Sequence, residues 1–117
     1  DNTLAIPGIY DLDEMEAAGS SAAVRVVVQA EFSPQQLAQV GCNASCFNRP
    51  NFNTFRYVVP KATGGANPRG PNQPAIDIGN RNMVEPAQLA EFIAWARNEQ
   101  PAEHYALVLW NHGGGYT

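Results

Sequence analysis

From His104 to Gly115 the chain reads His-Tyr-Ala-Leu-Val-Leu-Trp-Asn-His-Gly-Gly-Gly, and no other stretch constrains the fold as strongly. The apolar run Tyr105–Trp110 predicts a buried strand. Asn111, His112 and three glycines come next, a place where a strand ends and the backbone can turn sharply. In open α/β sheets ligands gather beyond the carboxyl ends of the strands. His112 is therefore a candidate catalytic group. Imidazole exchanges protons near neutral pH, and the glycines let a substrate approach the ring and the backbone N–H groups. The competing reading is a histidine that satisfies backbone groups in a loop. His104 stands at the opposite end of the run, about 20 Å away at roughly 3.3 Å per strand residue. It is assigned a structural or surface role.

Upstream, the chain repeats a helix-to-strand order. Ile9, Leu12 and Met15 are spaced by three, with Gly19-Ser20 as a stop, and predict a short helix over 9–18. Its acids, Asp11, Asp13, Glu14 and Glu16, are read as a solvated face, with a calcium site as the outside alternative. Val24-Arg-Val-Val-Val-Gln29 is nearly continuous in β-branched residues and predicts a strand covered on both sides. Glu31, just past it, is read as a loop cap before a site residue. A second helix begins near Pro86, whose missing N–H costs nothing in a first turn. Leu89, Phe92, Ile93 and Ala96 mark its buried face, broadened by Trp95, and Gln100-Pro101 ends it. Helix then strand, twice over, predicts an α/β sandwich with a mostly parallel sheet.

The middle of the chain is less regular. Ser33-Pro34 opens a short helical pattern, and Asn43–Asn53 reads as a surface excursion within an insertion at about 32–53. Thr54–Val59 predicts a strand, with a hairpin and an edge partner as its setting, ended by Pro60. Ala62–Pro74 is rich in Gly, Pro and Asn and reads as an exposed, flexible loop. It has no phosphate-cradle spacing. Cys42 and Cys46 fit three states, ranked as a local disulfide, two free thiols, and a metal site that needs two further ligands. A disulfide implies an oxidising compartment, and Asn43-Ala-Ser45 fits a glycosylation acceptor.

With 117 residues and a formal charge of -4, the composition suits one small domain. Lys61 is the only lysine and the arginines form no stripe, which argues against a nucleic-acid partner. No apolar run approaches the roughly 18 residues of a membrane span.

Three blocks resemble the clostripain-type cysteine peptidases of the caspase-like structural group. They are Asp1-Asn-Thr-Leu4 with Asp11-Leu-Asp-Glu-Met15, Val24–Gln29, and His104–Gly113, with Leu89, Phe92, Ile93 and Trp95 on the helix before the last. The resemblance implies a caspase-like α/β/α sandwich, here incomplete, so that residues 1–117 form part of a peptidase domain. By it, His112 matches the catalytic histidine and Gly113 the glycine whose N–H helps hold the oxyanion. The nucleophilic cysteine belongs to a later strand. Neither Cys42 nor Cys46 matches it, so a second chain or a downstream segment is the expected partner. Asp1–Leu4 resembles the segment that leaves the family's first strand.

The resemblance further implies a polypeptide substrate cut after Arg or Lys, autoprocessing, and export from a bacterial cell to the periplasm, surface or medium. It allows calcium as an accessory ion; the residues themselves require no cofactor. Two other readings compete. His112-Gly-Gly-Gly115 is similar to the oxyanion loop of α/β-hydrolase esterases, where a later serine attacks. A non-catalytic binding or structural module of the same fold is the third.

Overall fold

The computed structural model describes residues 4–32, 38, 54–61 and 75–111. In chain order the described elements are α1 (Ala5–Ala18), β1 (Val27–Ala30), β2 (Phe55–Val58), β3 (Ile76–Asp77) and α2 (Pro86–Glu99). The strands make one sheet in the order β1-β2-β3, and both pairings are antiparallel. The expected mostly parallel sheet is thereby overturned. The architecture is an α/β fold with a three-stranded antiparallel sheet and two helices. The apolar run at Val24–Val28 carries no information about the direction of the neighbouring strand, and the expected cover on both faces is not found: Val24 is 62% exposed and Val27–Ala30 are only partly buried. The neighbour is β2, which returns against β1 with Val28 opposite Tyr57 and Gln29 opposite Arg56.

β2 has the alternation of a strand with two unlike faces. Phe55, Tyr57 and Val59 point to α1 and form a buried cluster with Ile9 and Leu12. Val26, Val28, Ala30, Phe32 and Met15 close around it. Ring pairs Phe32–Phe55 and Phe55–Tyr57, with centroids 6.1 and 5.9 Å apart, align the layer. Arg56 points the other way, toward α2.

The predicted first helix is present and starts earlier, at Ala5. Gly19 ends it with φ 69° and ψ 166°, a conformation essentially confined to glycine, and its N–H returns to the Met15 carbonyl at 2.7 Å. A Cβ there would also run into the Lys61 backbone. Ser20 then ties the helix exit to the sheet: its N–H donates to Val59 O, and its hydroxyl accepts from Val26 N–H at 3.0 Å.

The solvated acidic face holds only in part. Asp13 and Glu16 are 5% and 1% exposed. Glu16 is four residues beyond Leu12 and seven beyond Ile9, which places it inside the apolar stripe. Asp13, four beyond Ile9, borders it.

α2 begins at the predicted proline, with Glu85 preceding it. Its apolar face is half covered: Leu89, Phe92 and Ala96 are partly buried, Ile93 is exposed, and Gln88 alone is fully buried. Except for Ala38, which is helical, the stretch 33–53 lies outside the described residues, as does the loop 62–74.

Candidate functional site

The approach to His112 begins at the end of α2. Gln100 N–H returns to the Ala96 carbonyl at 2.9 Å, and the chain turns out at Pro101. Tyr105 folds back over this exit. Its hydroxyl accepts from Ala102 N–H at 2.8 Å and donates to the Gln100 carbonyl at 3.3 Å. The Arg97 guanidinium lies 5.9 Å from the Tyr105 ring centroid, a cation–π distance. The exit from the helix is thus pinned by three contacts of one side chain, two hydrogen bonds and a ring contact.

Beyond it, Tyr105–Trp110 is not the buried strand that its composition predicts. Residues 101–111 are exposed and belong to no strand, with Val108 and Leu109 at 79% and 73% exposure. An apolar run shows what a segment would gain by burial; a ladder also needs a neighbouring strand, and none lies alongside it among the described residues. Trp110 retains one anchor. Its Cη2 would stand 3.5 Å from a Cβ placed on Gly8, where Phe32 also approaches. The indole therefore reaches the first half of α1, and Asn111 comes next, at the surface.

His112 and Gly113 themselves lie outside the described residues, as do Cys42 and Cys46. His104 is exposed, in line with a surface role. Glu31 accepts a hydrogen bond from the Thr54 hydroxyl, which also accepts from Arg81 N–H at 3.2 Å. Glu31 thus holds a side chain next to the neighbouring strand and not a loop backbone group as expected of a cap, and through Thr54 it joins β1, β2 and the segment before α2.

Two polar groupings in the interior are not expected from the sequence. On the α1 side of β2, Asp13 and Glu16 share the core with Tyr57. Burial, with Glu16 adding to it, raises the Asp13 carboxyl to about 6. Burial and then the two acids push the Tyr57 phenol well above its usual range. Among the described residues, Asp13 Oδ1 and the Tyr57 hydroxyl have no hydrogen-bond partner. On the other side, Arg56 is 8% exposed; burial lowers its pKa, opposed by Glu91 and reinforced by Arg81. The signal for the acids is their helical spacing, and for Arg56 its place in the middle of a strand.

Among the described residues, no group of three or more His, Cys, Asp and Glu is placed to hold a metal ion. No described helix is long and apolar enough to cross a membrane. Comparisons with curated proteins and with solved structures find no match. The blocks Asp1–Leu4, Asp11–Met15 and Val24–Gln29 lie outside the one region where a family model aligns. That region, residues 74–117, contains β3, α2 and the run into His112, and it matches the model of the Clostripain family of cysteine peptidases.

Proposed function

We propose that this chain is the histidine-bearing part of a cysteine endopeptidase. A cysteine in a downstream segment or a second chain supplies the nucleophile. The observation that carries this reading is the family match over 74–117, which takes in Asn111-His112-Gly113.

In the proposed reaction the cysteine thiolate attacks the scissile carbonyl carbon, and the carbonyl oxygen takes up the negative charge. Backbone N–H groups around Gly113 stabilise that oxygen. The His112 imidazolium gives its proton to the leaving amine as the C–N bond breaks. Water then attacks the thioester while His112 takes up its proton, releasing the acid and restoring the thiolate. No step passes through calcium. We assign cleavage to bonds after Arg or Lys, a preference supported here by the family likeness alone.

The decisive experiment uses the native protein and a fluorogenic peptide with arginine before the cleaved bond. A cysteine-directed alkylator should abolish hydrolysis, and His112→Ala should lower kcat by about 10³-fold or more with KM little changed. Activity that survives alkylation and is lost to a serine-directed phosphonate would instead establish the esterase-type reading of His112-Gly-Gly-Gly115.

A further inference from the structure

We infer that Trp110, seated on Gly8 of α1 and the Phe32 ring, is a positioning residue that sets where His112 stands. This rests on the proposed peptidase reading, and it gives a role in catalysis to residues outside the family match. Gly8 is buried in the first half of α1. Glycine weakens a helix interior relative to alanine, so its place there calls for a reason in packing. The reason is the approach of two rings from distant parts of the chain. A Cβ at Gly8 would stand 2.9 Å from Phe32 Cε1 and 3.5 Å from Trp110 Cη2. The bare backbone of Gly8 is thus the floor on which both rings rest. That seat is firm: the Phe32 centroid lies 6.1 Å from that of the buried Phe55, and Ile9, next to Gly8, is 1% exposed.

What the seat holds is the end of the run into His112. Tyr105 is pinned at the exit of α2, residues 106–109 are exposed, and Trp110 carries the chain back to α1. His112 follows two residues on, so its Cα lies no more than about 7.6 Å from that of Trp110, at 3.8 Å per peptide unit. Beyond it, Gly113, Gly114 and Gly115 have no side chains with which to pack, and the next large side chain is Tyr116. An imidazole that serves both a sulfur and a leaving amine tolerates little displacement, since misplacement by about 1 Å can cost about 10²-fold in rate. An aromatic anchor two residues away, resting on a helix tied into the core, meets that need. Trp110 acts through the backbone and not on the reacting atoms.

The test follows inactivation of the native protein by a cysteine-directed alkylator across pH, with hydrolysis of the arginine peptide measured per alkylatable site. Alkylation needs the thiolate, and a nearby imidazolium stabilises the thiolate at low pH. In Trp110→Ala the acid limb of the inactivation profile should move up by about one pH unit or more. Its kcat per site should fall about thirtyfold or more, with KM changed by less than about threefold. Trp110→Phe, which keeps a ring on the seat, should recover kcat to within about fivefold of the wild type. A purely structural role would lower the number of alkylatable sites and leave the profile and the rate per site as in the wild type. That result overturns the proposal, as does a Trp110→Phe protein no better than Trp110→Ala. A wild type that does not hydrolyse the peptide, or that the alkylator leaves active, overturns the peptidase reading and the positioning role with it. Gly8→Ala checks the seat apart from activity. In protein ¹³C-labelled at histidine, the His112 imidazole signal, assigned by its loss in His112→Ala, should move in Gly8→Ala while that of His104 stays. An unmoved His112 signal overturns the proposal even where Trp110→Ala fails to fold.

Discussion

Asp13 shows how a single helical position sets a response to pH. Its carboxyl is held in the core beside Glu16 and the Tyr57 ring, and the cost of charging it there raises its pKa to about 6 from 3.8. The folded state therefore holds that proton more tightly than the unfolded chain. This contribution to stability is complete below about pH 4, declines as pH rises through about 6, and is absent above. Roughly two pKa units correspond to about 3 kcal/mol. Asp13→Asn should accordingly stabilise the protein at pH 7.5 by up to about that amount and leave it nearly unchanged at pH 4. Urea unfolding of both proteins at the two pH values checks this. An equal difference at both values would mean that folding does not raise the Asp13 pKa. Glu16's burial is legible in its distances of four and seven residues from Leu12 and Ile9. The expectation that neighbouring acids on a helix are solvated hides it. What the sequence does not contain is the Tyr57 ring on a strand 44 positions away from Asp13, and that ring closes the pocket around them.

At the scale of elements, local chemistry is readable and pairing is not. Pro86 at the first turn and Gln100-Pro101 at the end locate α2 because capping is decided within a few residues. The direction of β2 against β1 depends on the path of the chain between them, and no periodicity encodes that. The strand at Thr54–Val59 is visible in the sequence, but its place as the central strand is not, nor is β3. The run Tyr105–Trp110 is the sharpest case, since the composition of a buried strand is found at the surface. Its exposure makes a direct prediction. Replacing both Val108 and Leu109 with lysine should change the stability of this chain by no more than about 0.5 kcal/mol, as for other surface substitutions. It should also reduce self-association, because a contiguous apolar segment is removed from the surface. Chemical unfolding and sedimentation velocity measure the two effects. A loss of several kcal/mol would show that the run is buried after all, in the strand that its sequence describes.

For the whole molecule, the question is how the part that matches the peptidase family is held by the part that does not. Among the described residues, most of the links are on or near β2. Phe55 and Arg56 pair with Asp77 and Ile76, Thr54 receives Arg81 N–H, Arg56 lies over Trp95, and Gln29 reaches Met83. Trp110 makes a further approach to α1 near Gly8. These contacts carry the chain to Asn111 in a defined place while leaving the residues before it uncovered. A peptidase built on His112 needs its cysteine sulfur within reach of the imidazole, and on that proposal one path for the cysteine-bearing segment runs beside Tyr105–Trp110. A strand is the natural form for it, since that run pairs with no strand among the described residues and has apolar side chains to offer. If the proposed peptidase reading holds, backbone amides 105–110 should exchange hydrogen at least tenfold more slowly in native protein that hydrolyses the test peptide than in this 117-residue chain alone. Amides within α2 should differ much less, because their bonds are internal to the helix. Mass-spectrometric exchange on both samples measures the contrast. Equally fast exchange of the run in both samples would mean that a cysteine, on the proposed reading, is delivered from another side, and that the apolar run stays uncovered in the native protein.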